Sequence, residues 1–464
     1  MTTQLRDTSA RKSRTRAAAG QRLNAADCAL LSVDRALREM GCPGFETQMF
    51  VWLAARADTA SLRQALRSLS NQYPVVASRL IEDDPGASGY WRFRRGAACA
   101  LKEISLDSAN PAAVAECAGL LLSTPFDPAK VDPIRFYLLH RPNGHDVFLM
   151  QYNHALMDIN ATVPLVREID RLCLSGADQS VNKAPSHEKR RDVLRDYLRA
   201  LPLARRKAAM ESTLALWAQS FRGGATMLGQ PQRSRPGAVQ LRIATRQLDI
   251  AETKALQTHV VSVCGFPSLS MALMASAFRV IHRLSPQRAN GEGSCVAGIG
   301  VDLGLRGKKE LTFQNLVSVV PVSAKLEDLG DRDNLVRNLS RQMRQRLAEE
   351  SDLGMLQWTA VMNKRRRQAR WVMDFGLRGG FSLWYAYFGA LDAIGDRFGG
   401  AAIENVFYTG PSWSPMGMTL IANQFRGQLF LQATYVPESV PEELAGAFLD
   451  GVIEDLFVPG GSGP

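Results

Sequence analysis

Two apolar segments joined by a tight turn constrain the fold of this chain more than any other feature. The first segment begins at Ile134, the second covers residues 147–153, and Pro142-Asn143-Gly144 stands between them. Asn-Gly between two apolar runs is a strong signal for a β-hairpin. The second run is rich in Val, Phe, Leu and Met, which is typical of a buried strand. We therefore predict a hairpin whose second strand is buried.

The second strand of this hairpin ends at a histidine that an aspartate follows. His154 comes directly after the apolar run, and Asp158 lies four residues later. A side chain at a strand exit can point into a cleft, and an imidazole with an unperturbed pKa of about 6.5 can accept a proton near neutral pH. A histidine beside an apolar strand is nevertheless more often a structural residue than a catalyst, so both roles remain open on this evidence.

The order of motifs around His154 resembles the condensation-domain superfamily. Pro-Phe-Asp at 125–127 and Pro-Ile-Arg at 133–135 precede a strand that ends in His-x-x-x-Asp. The family signature is His-His-x-x-x-Asp-Gly, and here Asn153 stands for the first His and Ile159 for the Gly. Because a β-branched residue resists backbone angles that glycine adopts, we expect the loop after the aspartate to have a different shape.

Other segments resemble the family in the same order along the chain. The opening segment matches at residues 23–27 and 31–34, residues 45–53 are predicted to form a strand and 60–70 an amphipathic helix. Residues 73–80 resemble an Arg-His-x-x-Leu-Arg element, with Ala77 where the second Arg is expected.

The resemblance implies a fold class, α/β, with two similar chloramphenicol-acetyltransferase-like lobes that form a V-shaped pseudo-dimer around a central tunnel. It also implies a reaction, in which an acyl group moves from a thioester to a small-molecule hydroxyl or amine acceptor. The thioester would be carried by the phosphopantetheine of an acyl-carrier protein or by coenzyme A, and no permanently bound cofactor is implied.

The resemblance also implies roles for individual residues. His154 would be the general base, and Asp158 would be structural, paired with either Arg135 or Arg306. Asn153 would donate a hydrogen bond to the developing oxyanion or support the loop. Asp302, Arg306 and Asn315 lie near strand ends where family members line the cleft, although such residues are more often ordinary turn and edge groups.

The absence of a recognisable nucleophile motif favours direct acyl transfer. The sequence contains no Gly-x-Ser-x-Gly motif and no cysteine paired with a histidine in a recognisable setting, so a covalent acyl-enzyme is not expected. The alternative function is a catalytically silent condensation-like module that docks a carrier protein or another partner. The replacements at Asn153 and Ile159 keep that alternative open.

Composition agrees with a globular enzyme that needs no metal. The chain has 464 residues, of which 46% are hydrophobic, enough for one large core or two. The apolar runs are shorter than the roughly 18 residues of a membrane-spanning helix, and the first residues lack the apolar core of a signal peptide. Seven cysteines without a Cys-x-x-Cys pair argue for reduced thiols and against zinc. We expect a cytoplasmic monomer without metal or transmembrane segment.

The net charge of +11 indicates what the protein could bind. Basic runs are usually solvated surfaces, and this is the simplest interpretation. The phosphates of coenzyme A or an acidic carrier protein would use the same charges by electrostatic attraction. A nucleic acid is not expected, because aromatic residues do not interleave with the basic clusters. The densest run, and the predicted donor-docking site, is Lys364, Arg365, Arg366 and Arg367, followed by the cluster at 189–191.

Changes in composition divide the chain into four parts. Residues 1–20 are predicted to be a disordered basic tail, 21–180 the N-terminal lobe with His154, 181–237 a helical connector and loop, and 238–464 the C-terminal lobe. Within the connector, Leu201-Pro202 is expected to break a helix. Within the C-terminal lobe, Arg426-Gly427 is expected to turn a second hairpin.

Overall fold

The computed structural model describes residues 20–82, 89–175, 193–220, 224–229, 239–265, 268–285, 293–305, 311–362, 377 and 379–457. Within these residues the helices are α1 (Ala25–Glu39), α2 (Thr59–Gln72), α3 (Pro111–Ser123), α4 (Thr162–Leu174), α5 (Val193–Ala200), α6 (Leu203–Ser220), α7 (Ile250–Cys264), α8 (Leu269–Leu284), α9 (Arg332–Ala348), α10 (Ser351–Met362) and α11 (Glu442–Phe457).

The strands within the same residues are β1 (Gly20–Arg22), β2 (Glu46–Leu53), β3 (Arg79–Ile81), β4 (Tyr90–Arg92), β5 (Leu101–Ser105), β6 (Ile134–His140), β7 (Asp146–Asn153), β8 (Arg242–Leu248), β9 (Ser294–Asp302), β10 (Val317–Lys325), β11 (Leu383–Ala390), β12 (Arg397–Phe398), β13 (Ala401–Thr409), β14 (Met418–Phe425) and β15 (Gln428–Tyr435).

The first six-stranded sheet contains the predicted hairpin and forms the N-terminal lobe with α2 and α4. Its strand order is β12-β13-β2-β7-β6-β5. β6 and β7 pair antiparallel, and the turn between them uses Gly144 with φ of 82°, an angle that glycine adopts without strain. All eight residues of β7 are buried, because apolar side chains of α2 and α4 share one core with this sheet. The hairpin and the burial of its second strand are therefore confirmed.

The second six-stranded sheet forms the C-terminal lobe, with the order β10-β9-β11-β14-β15-β8. Helices α7, α8, α9 and α11 contribute to the core against it. β14 and β15 form the second predicted hairpin. Arg426 and Gly427 turn it with φ of 49° and 75°, and positive φ at both central residues is what a tight hairpin turn of this kind needs.

One segment does not follow the expected division of the chain at residue 238. β12 and β13 belong to the sheet of the N-terminal lobe, where β13 pairs antiparallel with β2 from Thr409 opposite Gln48 to Ile403 opposite Leu53. Without β13, β2 would be an edge strand with unpaired backbone groups. The C-terminal part of the chain therefore completes the N-terminal lobe before it returns to its own sheet in β14.

The connector and the N-terminus agree with the sequence where the structure describes them. Helices α5 and α6 end and begin on either side of Leu201-Pro202, as predicted. Gly20 opens β1 in a small sheet with the order β1-β4-β3, while the rest of the predicted tail lies outside the described residues. In the described part of the chain no single helix is both long and apolar enough to cross a membrane; the bent pair α7 and α8 passes only when both are taken together.

Candidate active site

The aspartate of the motif caps a short turn directly after the strand. β7 ends at Asn153, and Asp158 precedes a 3-10 turn at Ile159–Ala161, where its Oδ1 accepts a hydrogen bond from the Asn160 amide at 3.0 Å. Ile159 has no positive φ. A β-branched residue is therefore accommodated at the position where the signature has Gly.

The imidazole of His154 is held between an aromatic ring and an amide. Its backbone amide donates to the Phe45 carbonyl at 3.0 Å, and its ring stacks on that of Phe45 with centroids 5.3 Å apart and planes inclined by 18°. Nδ1 lies 3.2 Å from Oδ1 of Asn315. His154 as a whole residue is partly buried.

The hydrogen bonds of Asn315 determine which ring nitrogen carries the proton. Its Nδ2 donates to Oδ1 of Asp27 at 2.8 Å and to the His154 carbonyl at 2.9 Å. Both are acceptors only, so the amide oxygen is the atom that faces the imidazole. Nδ1 of His154 must therefore donate to it, which leaves the lone pair on Nε2.

The environment also keeps this imidazole neutral. Burial lowers the pKa of His154, while its own carbonyl, the charge of Asp158 and the bond to Asn315 act in the opposite direction without reversing the effect. A neutral ring with a free Nε2 is the form in which a histidine can accept a proton.

The side chain of Asn153 connects the loop after β7 to Asp34. Its Nδ2 donates to Oδ1 of Asp34 at 3.1 Å, and its Oδ1 accepts from the Ala155 amide at 3.0 Å. Asp34 also accepts from the Phe45 amide at 2.9 Å and forms an ion pair with Arg38. Of the two roles expected for Asn153, these hydrogen bonds agree with support of the loop after β7.

The pairing of Asp158 with Arg135 or Arg306 stays a prediction. The guanidinium of Arg135 lies over the ring of Phe126, 4.1 Å from its centroid, and Arg135 is opposite Gln151 in the sheet. Arg306, the other candidate, lies outside the described residues. Asp158 accepts a hydrogen bond from the Leu316 amide at 2.8 Å.

Two aspartates from the N-terminal half of the chain bind consecutive backbone amides near the start of β10. Asp27 accepts from the Asn315 amide at 2.8 Å, while Asp158 holds the amide of Leu316. Asn24 adds a hydrogen bond from its Nδ2 to the Asn315 carbonyl at 2.9 Å. The site is therefore assembled from both halves of the chain.

Aromatic rings extend from His154 into the C-terminal lobe. Phe45, which stacks on the imidazole, meets Trp384 edge-on at 6.4 Å. Trp384 in turn contacts Phe381 at 5.5 Å and Trp413 at 5.9 Å between ring centroids. Trp384 is partly exposed. This aromatic cluster gives the surroundings of the imidazole an apolar surface.

The described residues contain no cluster of side chains suited to bind a metal ion, and the pKa values of three buried cysteines disfavour thiol nucleophiles. Among them no group of three or more His, Cys, Asp or Glu side chains could hold a metal ion. Burial raises the pKa of Cys42, Cys99 and Cys295 to about 12. These thiols stay protonated at neutral pH and are poor nucleophiles.

The sequence indicated part of this site and missed part. It indicated His154 and Asp158 by their place at a strand exit and Asn153 by the family resemblance, and it named Asn315 without a specific role. Asp27 was missed as a site residue, although Asn24-x-x-Asp27 has the pattern of a helix capping box. The predicted docking residues Lys364–Arg367 and the cluster at 189–191 lie outside the described residues.

Comparison with known proteins gives a family and a set of similar structures. The model of the family described as Condensation domain matches residues 43–369, more than half of the chain. No protein with a curated description matches the sequence.

Three of the similar structures illustrate the likeness. TRI3 trichothecene 15-O-acetyltransferase from Fusarium sporotrichioides has a TM-score of 0.68 at 14% identity, covering 94% of this chain and 95% of that one. The first condensation domain of the CDA synthetase has a TM-score of 0.67 at 14% identity, covering 95% and 97%. A mutant starter condensation domain of rhizomide synthetase RzmA, in complex with C8-CoA and Leu-SNAC, has a TM-score of 0.65 at 15% identity, covering 94% of each chain. These structures confirm the predicted α/β fold of two similar lobes.

Proposed function

The chain belongs to the condensation-domain family, and on that basis we propose that it is an acyltransferase in which Nε2 of His154 is the general base. The donor is a thioester, and the acceptor is a small molecule with a hydroxyl or amine group. One observation carries the proposal: Nδ1 of His154 lies 3.2 Å from Oδ1 of Asn315, whose Nδ2 donates to two other acceptors. We infer from it that Nδ1 carries the proton and that Nε2 is available as a base.

The proposed reaction is direct transfer without an acyl-enzyme. The acceptor O–H or N–H donates its proton to Nε2 as the oxygen or nitrogen attacks the thioester carbonyl carbon. The tetrahedral intermediate then expels the thiolate, which takes the proton from the imidazolium and leaves as a thiol. A base within hydrogen-bond reach contributes typically about 10²–10⁴-fold. The raised pKa values of the buried thiols support a mechanism without a cysteine nucleophile.

The proposed donor carries phosphopantetheine, either as coenzyme A or on an acyl-carrier protein. A similar structure binds C8-CoA and Leu-SNAC, which supports a thioester as substrate. We further propose that the thioester and the acceptor enter a tunnel between the lobes from opposite faces and meet at His154. The aromatic cluster beside Phe45 and Trp384 would contact an apolar part of either substrate.

A panel assay tests this function. The protein is incubated with acyl thioesters of coenzyme A and of a carrier protein, together with hydroxyl and amine acceptors, and mass spectrometry detects esters and amides. We expect His154→Ala to lower turnover by roughly 10²-fold or more while the fold survives.

A matched control is His145→Ala, at the opposite end of β7, where His145 lies 3.2 Å from Glu404. This variant should keep its turnover. Near-normal turnover in His154→Ala would refute the role of His154. Absence of product with every thioester, together with binding of a carrier protein, would favour the silent docking module.

A further inference from the structure

We propose that Asp27 is a positioning residue of this active site, which acts through Asn315 to set the orientation and the tautomer of His154. The proposal rests on the proposed function only in taking Nε2 of His154 as the reactive atom. The influence of Asp27 on the imidazole passes through the side-chain amide of Asn315.

The contacts of Asp27 fix both the backbone and the side chain of Asn315. Oδ1 of Asp27 accepts from the Asn315 backbone amide and from its Nδ2, each at 2.8 Å. Asp27 is 1% exposed and Asn315 is fully buried. A buried carboxylate with two N–H donors from one residue binds that residue more rigidly than a single neutral hydrogen bond would.

This anchoring decides which atom of Asn315 faces the imidazole. With Nδ2 held by Asp27, only Oδ1 can point at Nδ1 of His154, and an acceptor there requires a proton on Nδ1. If the amide turned over, its N–H would face Nδ1 and favour the tautomer with the proton on Nε2. That tautomer cannot accept a proton from the acceptor substrate. Asp27 therefore selects against an inactive form of the base.

A second capping box in the described residues shows what helix capping alone requires. In α1, Oδ2 of Asp27 accepts from the Asn24 amide at 2.9 Å, and this bond closes the box. In α7, Glu252 occupies the equivalent third helical position of the capping box, and its Oε2 accepts a hydrogen bond from the Asp249 amide at 2.8 Å. Capping needs only this one oxygen, whereas the hydrogen bonds to Asn315 are made by the other one, Oδ1 of Asp27.

The two capping boxes provide a matched pair of variants. Asp27→Asn removes the negative charge. It also replaces one of the two acceptor oxygens by an NH2 group, although both oxygens of Asp27 accept hydrogen bonds. Glu252→Gln makes the same chemical change at the equivalent position of α7, which is exposed. We expect Asp27→Asn to lower kcat by about 10-fold or more with little change in KM. Glu252→Gln should leave both constants unchanged, and Asp27→Asn should lower Tm more than Glu252→Gln does, because Asp27 is buried and Glu252 is exposed.

A spectroscopic measurement separates positioning from a merely structural role. In protein labelled with ¹⁵N-histidine, the signals of His154 are identified by their loss in His154→Ala. The wild type should show a protonated Nδ1 and an unprotonated Nε2, and Asp27→Asn should shift both signals towards the other tautomer. Unchanged ¹⁵N shifts in the folded variant would overturn the proposal. This measurement needs no substrate, so it stands even if no transferase activity is found.

Discussion

The proposed reactivity of His154 depends on Nε2, because in the described part of the chain the other ring nitrogen, Nδ1, is bound to Asn315. Sequence could predict the histidine, since a polar residue at the end of an apolar strand is visible in the pattern. It could not predict the partners of that histidine. Asn315 is 161 residues from His154 in the sequence, and Asp27 is 288 residues from Asn315. No local pattern shows which distant amide a ring will contact.

The pH dependence of catalysis follows from the environment of this residue. Burial lowers the pKa of His154 below its ordinary 6.5, and the base is active only when neutral. Activity should therefore rise with pH through a midpoint below 6.5, measured as kcat/KM against pH. Asn315→Ala removes a hydrogen bond that raises this pKa, so its midpoint should lie lower still. A midpoint above 7 in the wild type would contradict the assignment of His154 as the titrating group.

At the level of helices and strands, the local sequence predicted where these elements form and where the chain turns. It did not predict which strands pair with each other. The turn at Arg426-Gly427 and the break at Leu201-Pro202 were visible because Gly and Pro restrict the backbone in known ways. The pairing of β13 with β2 was not visible. An apolar strand has the same composition whichever buried sheet it joins. Only the structure could therefore show that β13, from the C-terminal part of the chain, belongs to the sheet of the N-terminal lobe.

The contact of α6 with α10 depends on a glycine in a way that can be measured. A Cβ added at Gly354 would overlap the carbonyl oxygen of Ala209 and the hydroxyl of Thr213. We expect Gly354→Ala to lower the free energy of unfolding by about 1–3 kcal/mol, because the two helices would have to move apart. Urea denaturation measures the change.

The control for this contact is another glycine with ordinary backbone angles. Gly330 has φ of −62°, and a Cβ added there would meet nothing within 4 Å. Gly330→Ala should leave the free energy of unfolding nearly unchanged. Equal stability of the two variants would mean that the close approach at Gly354 does not constrain the packing of α6 on α10.

For the molecule as a whole, the site exists only where both halves of the chain meet. Asp27 and Asp158 hold the segment that carries Asn315, and β13 ties the C-terminal part of the chain into the N-terminal sheet. The motif around His154 could be predicted from one half. The environment that orients the imidazole could not, because it arises from the assembly of both.

The net charge of +11 is also a property of the whole molecule. If the basic run attracts a phosphorylated or acidic donor, its effect is on association, and exposed charges act over about 10 Å at 0.1 M salt and about 3 Å at 1 M. Changing Lys364, Arg365, Arg366 and Arg367 to Glu should raise KM for a coenzyme A or carrier-protein donor far more than it lowers kcat. The increase should diminish as salt is added.

An uncharged donor distinguishes docking from a general effect of the substitutions. An N-acetylcysteamine thioester has neither phosphates nor an acidic protein, so electrostatic attraction contributes little to its binding. Its KM should be the same for the wild type and for the variant with all four charges reversed. If KM for the coenzyme A and carrier-protein donors is also unchanged at low salt, the basic run serves solubility and not docking. If KM rises equally for every donor, the substitutions have altered the site itself, because loss of attraction cannot weaken the binding of an uncharged thioester.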